Sequence, residues 1–224
     1  MPLALNTEDD RFSLILKCDP LMKGVNVNWL GWGGKENEAL QSVAQELFEV
    51  VAQEYDLEDI GRLQEMLLEE IGIKGQVVQK EQSRLHQKNG IISYEQFIEV
   101  LKRYQFEVDD TKVGTVPWRS YFSFSPHANK IDGEYSSPEL IAYLFSLDLE
   151  IAKEWIPAMG LGSLEEFVNQ NGGSYTERKN ILAGDTFLDA TECLVSYALE
   201  EEQYRFRFEY IQGEAKHFEF HGKY

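Results

Sequence analysis

Apolar and polar positions recur along this chain with two periods, about two residues and about 3.6 residues, and these sort it into strands and helices. Phe12 to Lys17 (FSLILK) is a compact run of strand formers, and Val25 to Leu30 (VNVNWL) alternates apolar with polar. Asp19, Pro20 and Gly24 between them are turn residues, so the two runs are expected to form a first β-hairpin. Gly31-Trp32-Gly33-Gly34 then breaks the pattern. From Glu36 to Tyr55 the apolar residues Leu40, Val43, Ala44, Leu47, Phe48, Val51 and Tyr55 recur at helical spacing, which predicts one buried stripe. Asp56 is the expected N-cap of a second helix with Leu57, Ile60, Leu63, Leu67 and Ile71 on its face, closed by Gly72.

Residues 74–89 are polar, with Val77-Val78 fitting a short strand or a weak helix. Ser93 and Gln96 have capping-box spacing ahead of a helix over Tyr94 to Tyr104. Trp118 to Phe124 (WRSYFSF) reads as a strand. Ser137-Pro138 is a strong start signal, because proline at the first helical position gives up no hydrogen bond. The helix it opens is apolar nearly all round and is expected to run to about Trp155, with Pro157 stopping it. Ser163 and Glu166 form a second capping box before a short helix ending at Gly172-Gly173. Cys193, Val195, Tyr197 and Leu199 alternate as in a strand.

The C-terminal pattern is the sharpest. Tyr204, Phe206, Phe208 and Tyr210 alternate with charged residues, and Phe218 and Phe220 do so after Gln212-Gly213-Glu214. A short loop with Gly213 left-handed pairs Phe208 with Phe218 and Phe206 with Phe220. It sets Arg207 opposite Glu219 and Glu209 opposite His217, on a polar outer face. The fold class expected is α+β: an antiparallel sheet with N- and C-terminal β-hairpins and about five helices packed on one face. The pattern breaks at Asp109-Asp110-Thr111, dividing the chain into 1–110 and 111–224, or leaving one domain over 1–224.

Composition then limits function. The 224 residues carry a formal charge of −18, which argues against direct binding to nucleic-acid backbones or anionic membranes. No apolar run approaches a membrane span, and the acidic start at Glu8-Asp9-Asp10 does not resemble a secretory signal. Cys18 and Cys193 lie far apart with no C-x-x-C pair, so no disulfide is expected and a cytoplasmic location is.

The acidity is local. Residues 35–70 hold eleven carboxylates against Lys35 and Arg62. Glu38, Glu46, Glu49, Glu54, Glu58, Glu65 and Glu69 are the candidate binding residues, a surface suited to a basic protein partner. The bland alternative is a solvated face that keeps the chain in solution.

Motifs for chemistry are sparse. His217, Glu219 and His221 share one strand face at spacing i, i+2, i+4, and are the weak candidates for a metal; His86 and His127 are the other histidines. Gly31-Trp32-Gly33-Gly34-Lys35 lies between a strand and a helix, as anion-binding turns do, but Glu36 breaks both the P-loop and dinucleotide patterns. Leu85 to Phe97 echoes a calcium loop without its carboxylates. Glu214-Ala215-Lys216 matches the E-x-K half of a nuclease motif, with Asp185 or Asp189 as the missing acid. Trp155-x-Pro157, Glu165-Glu166-Phe167 and Asn171-Gly172-Gly173 together form a pattern similar to the core of SUKH-type bacterial immunity proteins. It covers only a short stretch, and capped helices ending in Asn-Gly-Gly are common, so membership is not read from it.

No catalytic motif is complete and no cofactor is expected. The reading is an acidic, non-enzymatic interaction protein, an inhibitor of immunity or anti-defence type acting on a basic partner such as a nuclease or toxin. The alternatives are a metal-dependent enzyme near His217, Glu219 and His221, and an oligomeric scaffold held by exposed Trp32, Trp118 or Tyr121.

Overall fold

The computed structural model describes residues 3–6, 12–72, 90–125, 128–183, 190–199, 202–211 and 213–223. In chain order its strands are β1 (Leu3–Asn6), β2 (Phe12–Pro20), β3 (Val25–Asn26), β4 (Phe122–Ser123), β5 (Ala190–Leu199), β6 (Glu202–Ile211) and β7 (Glu214–Lys223). Its helices are α1 (Glu38–Glu54), α2 (Ile60–Ile71), α3 (Tyr94–Val108), α4 (Trp118–Tyr121), α5 (Pro138–Phe145), α6 (Leu149–Lys153), α7 (Trp155–Ala158) and α8 (Leu164–Gln170). The fold is α+β. Two compact units divide it: Met1–Leu21 with Thr186–Tyr224, and Met22–Asp185. The Asp109-Asp110-Thr111 break lies inside the second unit, where Asp109 is the left-handed C-cap of α3.

The first unit is a five-stranded antiparallel sheet in the order β1-β2-β5-β6-β7. The N-terminal hairpin joins β1 to β2, with Leu3 opposite Leu16 and Leu5 opposite Leu14. The expected pairing of Phe12–Lys17 with Val25–Leu30 does not form. β2 pairs instead with β5, nearly 180 residues later, and the whole second unit is inserted in the chain between them. Cys18 stands directly opposite Cys193 in that pairing, and the two form a disulfide. This overturns the expectation of a disulfide-free chain and removes the cysteine argument for a cytoplasmic location. Distance along the sequence had hidden a cross-strand neighbour.

At the C-terminus the expected register holds at the centre of the hairpin and slips by one residue toward either end. Phe206 faces Phe220, Arg207 faces Glu219, and the Phe208 and Phe218 rings stack at 5.5 Å. Gly213 takes φ 83°, as the turn requires. An irregularity between Arg207 and Glu209 shifts the register by one, so Glu209 meets Lys216 rather than His217.

The second unit packs its helices on one another around a single apolar core running from Val25 to Leu182. Phe48 stacks on Phe122 at 4.3 Å, and Trp118 meets Phe97 edge-on at 5.5 Å. Trp118, Tyr121 and Trp32 are buried there, which corrects their assignment as exposed oligomer contacts. The short β3 and β4 pair in parallel. Gly24 is obligatory beside them, since a Cβ would sit 2.6 Å from the Phe122 backbone.

The polar positions of VNVNWL explain why it is not a hairpin strand. Asn26 and Asn28 are buried. The Asn28 side chain donates to the Ile91 carbonyl (2.8 Å) and accepts from the Ile91 N–H (2.7 Å). Asn26 donates to the carbonyls of Ser125 (2.6 Å) and Ala128 (2.9 Å). These amides clamp three distant segments together, and Val27–Gly31 coils into a 3-10 turn. Trp118–Tyr121 is likewise helical rather than extended, with Pro117 at its N-cap.

Three cap signals behave as read. Ser137 Oγ accepts from the Leu140 N–H, Ser163 and Glu166 form a reciprocal box, and Gly72 ends α2 at φ 74°. Two others move. Asp59, not Asp56, caps α2, while Asp56 is left-handed at φ 53°. Gln96 reaches back to the Ile92 N–H rather than to that of Ser93. The single helix expected to Trp155 is three short ones: Ser146 turns left-handed at φ 54°, Asp148 caps α6, and Pro157 sits inside α7.

The disulfide closes a loop of sequence separation 175, for which the chain-entropy account gives a stabilisation at the upper end of about 2–5 kcal/mol. The double variant Cys18→Ser/Cys193→Ser should therefore lower the denaturant midpoint of the sheet while far-UV circular dichroism retains the helical signal.

Candidate functional site

α1 buries Leu40, Val43, Ala44, Leu47, Phe48 and Val51, and that turns its acidic side outward. Glu38, Glu46, Glu49, Glu54, Glu58, Glu65 and Glu69 are all exposed. They differ in what else they do. Arg62 of α2 lies 3.2 Å from Glu65, 3.8 Å from Glu69 and 2.6 Å from Glu107 of α3. The guanidinium is pushed up from its ordinary value, chiefly by its hydrogen bond to Glu107. Glu46 accepts from Ser42 Oγ (2.6 Å) and stands 3.7 Å from Arg178. Glu54 accepts the Tyr121 hydroxyl (3.0 Å). Glu38, Glu49 and Glu58 form no ion pair among the described residues. They are the carboxylates that a foreign cation would meet without displacing one from this chain.

Glu58 is held in place by the segment that starts α2. The buried Asp110 carboxylate accepts from the backbone N–H of Glu58 (3.1 Å), from that of Lys112 (2.9 Å), and from the Tyr104 hydroxyl (3.2 Å). Tyr104 in turn accepts from the Asp59 N–H (3.2 Å). Lys112 bonds Asp56 at 2.6 Å, which lowers the Asp56 carboxyl.

The other candidates fare differently. His217, Glu219 and His221 lie on β7, and their side chains fall outside the described residues, as do His86, His127, Asp185, Asp189 and residues 74–89. Among the described residues no group of three or more His, Cys, Asp or Glu could hold a metal. Glu214 is the first residue of β7 rather than a turn residue, and it pairs with Lys216 at 2.8 Å. At the glycine-rich turn the Glu36 carboxylate lies 2.7 Å from where a Gly34 Cβ would be. A carboxylate at that spot repels an anion.

Sequence reading put one charged group in the wrong environment. Arg207 was placed on a solvated outer face, yet its side chain is 7% exposed and that of Glu209 1%. Arg207 Nε meets Glu192 Oε1 at 2.6 Å and its Nη2 meets Glu209 Oε1 at 3.1 Å. Glu192 and Glu209 are direct cross-strand partners, so the arginine separates two like charges that would otherwise oppose each other. Alternation alone cannot distinguish a buried polar face from a wet one.

No protein-family model matches the chain, and no curated protein does. Among solved structures it is similar to a chain of the GspK-GspI-GspJ complex from the Type 2 Secretion System of enterotoxigenic Escherichia coli. The TM-score is 0.52 at 10% identity, covering 100% of this chain and 82% of that one. At that identity the likeness is one of fold. Among the described residues no helix is long and apolar enough to cross a membrane.

Two outcomes follow from these groups. Arg207→Met, which removes the cation between the buried Glu209 and the half-buried Glu192, should cost up to about 3–5 kcal/mol in urea unfolding, and adding Glu192→Gln and Glu209→Leu should recover most of it. Tyr104 and Tyr143 are both pushed up to about 12, first by burial. Above pH of about 10, where an unfolded tyrosine ionises, the unfolded chain releases protons that the folded chain keeps. Stability present below that pH is then lost as pH rises toward 12. The melting temperature should fall over that range, and less steeply in Tyr104→Phe/Tyr143→Phe.

Proposed function

We propose that the chain is a protein-binding module whose acidic α1–α2 surface engages a basic protein, as an inhibitor of immunity or anti-defence type would engage a nuclease or toxin. The carrying observation is the trio Glu38, Glu49 and Glu58, exposed and free of ion pairs among the described residues, on a chain of charge −18. A field of this sign concentrates a basic partner near the surface before contact. The protein likened to it in fold stands in a three-protein complex, and this supports a role in binding rather than in catalysis. The test is stopped-flow association with a basic nuclease of known structure, across a salt series. The on-rate should fall with salt, and Glu38→Lys/Glu49→Lys/Glu58→Lys should slow it about tenfold or more at low salt. Rates indifferent to both salt and charge reversal would exclude the electrostatic reading.

A further inference from the structure

The Cys18–Cys193 bond joins two unlike sulfurs. Cys18 is exposed, whereas Cys193 is 3% exposed. The sheet explains the difference. β5 lies between β2 and β6, and Phe208 of β6 stands directly opposite Cys193. The other neighbour of β2 is β1, which begins at Leu3 opposite Leu16 and so stops two residues short of Cys18. Among the described residues, nothing pairs with β2 at Cys18 on that side.

Thiol–disulfide exchange requires a thiolate that attacks one sulfur in line with the bond it breaks, so access decides which sulfur is attacked. The S–S bond crosses the ladder from β2 to β5. Extended past Cys193 Sγ, its line leads toward β6 and Phe208. Extended past Cys18 Sγ, it leads to the side that β1 leaves uncovered.

The released sulfur has a donor waiting. Thr191 Oγ1 lies 3.6 Å from Cys193 Sγ. A disulfide sulfur carries no proton, so the hydroxyl is the donor in this contact. Burial in apolar surroundings raises a thiol's pKa and makes it a poorer leaving group. A hydroxyl aimed at the sulfur on which negative charge develops offsets that.

We propose that the Cys18–Cys193 disulfide is a thiol-exchange site, in which Cys18 is the sulfur attacked and Cys193 the sulfur released. The reagent is a thiol in its thiolate form. Its sulfur bonds to Cys18 Sγ, the Cys18–Cys193 bond breaks, and the bonding pair leaves on Cys193 Sγ, which then takes a proton from water. The products are a mixed disulfide on Cys18 and a thiol on Cys193. With a dithiol, the second thiolate attacks the reagent's own sulfur in the mixed disulfide and expels Cys18 as thiolate. The chain's disulfide is thereby reduced to two thiols, and the dithiol is oxidised to a disulfide.

The experiment treats the oxidised full chain with glutathione under native conditions, stops exchange with acid and maps peptic fragments by mass spectrometry. At early times the glutathione adduct should sit on Cys18 about tenfold or more over Cys193. With dithiothreitol in excess, the rate of reduction should rise in proportion to its concentration, as direct attack on the folded chain requires. Thr191→Val should slow that reduction about tenfold, and Thr191→Ser, which keeps the hydroxyl, should restore it. A substitution that merely loosened the sheet would speed reduction instead. An adduct on Cys193 or shared equally, a rate independent of dithiothreitol concentration, or a Thr191→Val chain reduced as fast as the wild type would each overturn the assignment.

Discussion

The antiparallel pairing of β2 with β5 is the constraint on which the rest of the chain depends. It brings residues 12–20 beside residues 191–199, and Leu21 N–H reaches the Ala190 carbonyl at 3.1 Å just where the sheet ends. Everything from Met22 to Asp185 is thereby a closed excursion from a single point of the sheet. Closing a loop of that length is entropically costly, though the cost grows only slowly with length. Nine residue pairs of ladder and the Cys18–Cys193 bond offset it.

Inside the excursion, buried polar groups do the positioning. Asn26 and Asn28 bind backbone at Ile91, Ser125 and Ala128, and Asp110 gathers the start of α2, the end of α3 and the turn after it. Each of these groups is costly to bury unless its hydrogen bonds are made, so each specifies one arrangement of distant segments. The result frames the candidate surface: α1 and α2 turn apolar stripes inward, and their carboxylates remain outside.

What could be read from the sequence was local. Ser137, Ser163 and Gly72 sit within a turn of the groups they satisfy, and the C-terminal hairpin is fixed by a tight loop and alternating aromatics. What could not be read was set by tertiary partners. FSLILK announces a strand but not that its neighbour lies beyond residue 189. Asn26 and Asn28 look like the wet side of a strand and are in fact buried donors. Ser146 and Asp148 interrupt an apolar helix whose hydrophobic pattern runs on past them. The acidic helices were legible as a surface. That Arg62 and Arg178 already sit beside Glu65, Glu69 and Glu46 was not, because those contacts depend on side-chain reach and, for Arg178, on residues far along the chain.

The excursion also orders events in time. During synthesis β2 emerges with only β1 to pair with, and its other neighbour is not made until some 170 residues later. At ribosomal speeds that is a wait of roughly 10–30 s. The helical unit completes its own core with Leu182, eight residues before β5 begins, so most of it can pack while the sheet is still half built. The thiol of Cys18, too, has no partner until Cys193 appears, so the bond between them records the arrival of β5 rather than guiding the early folding.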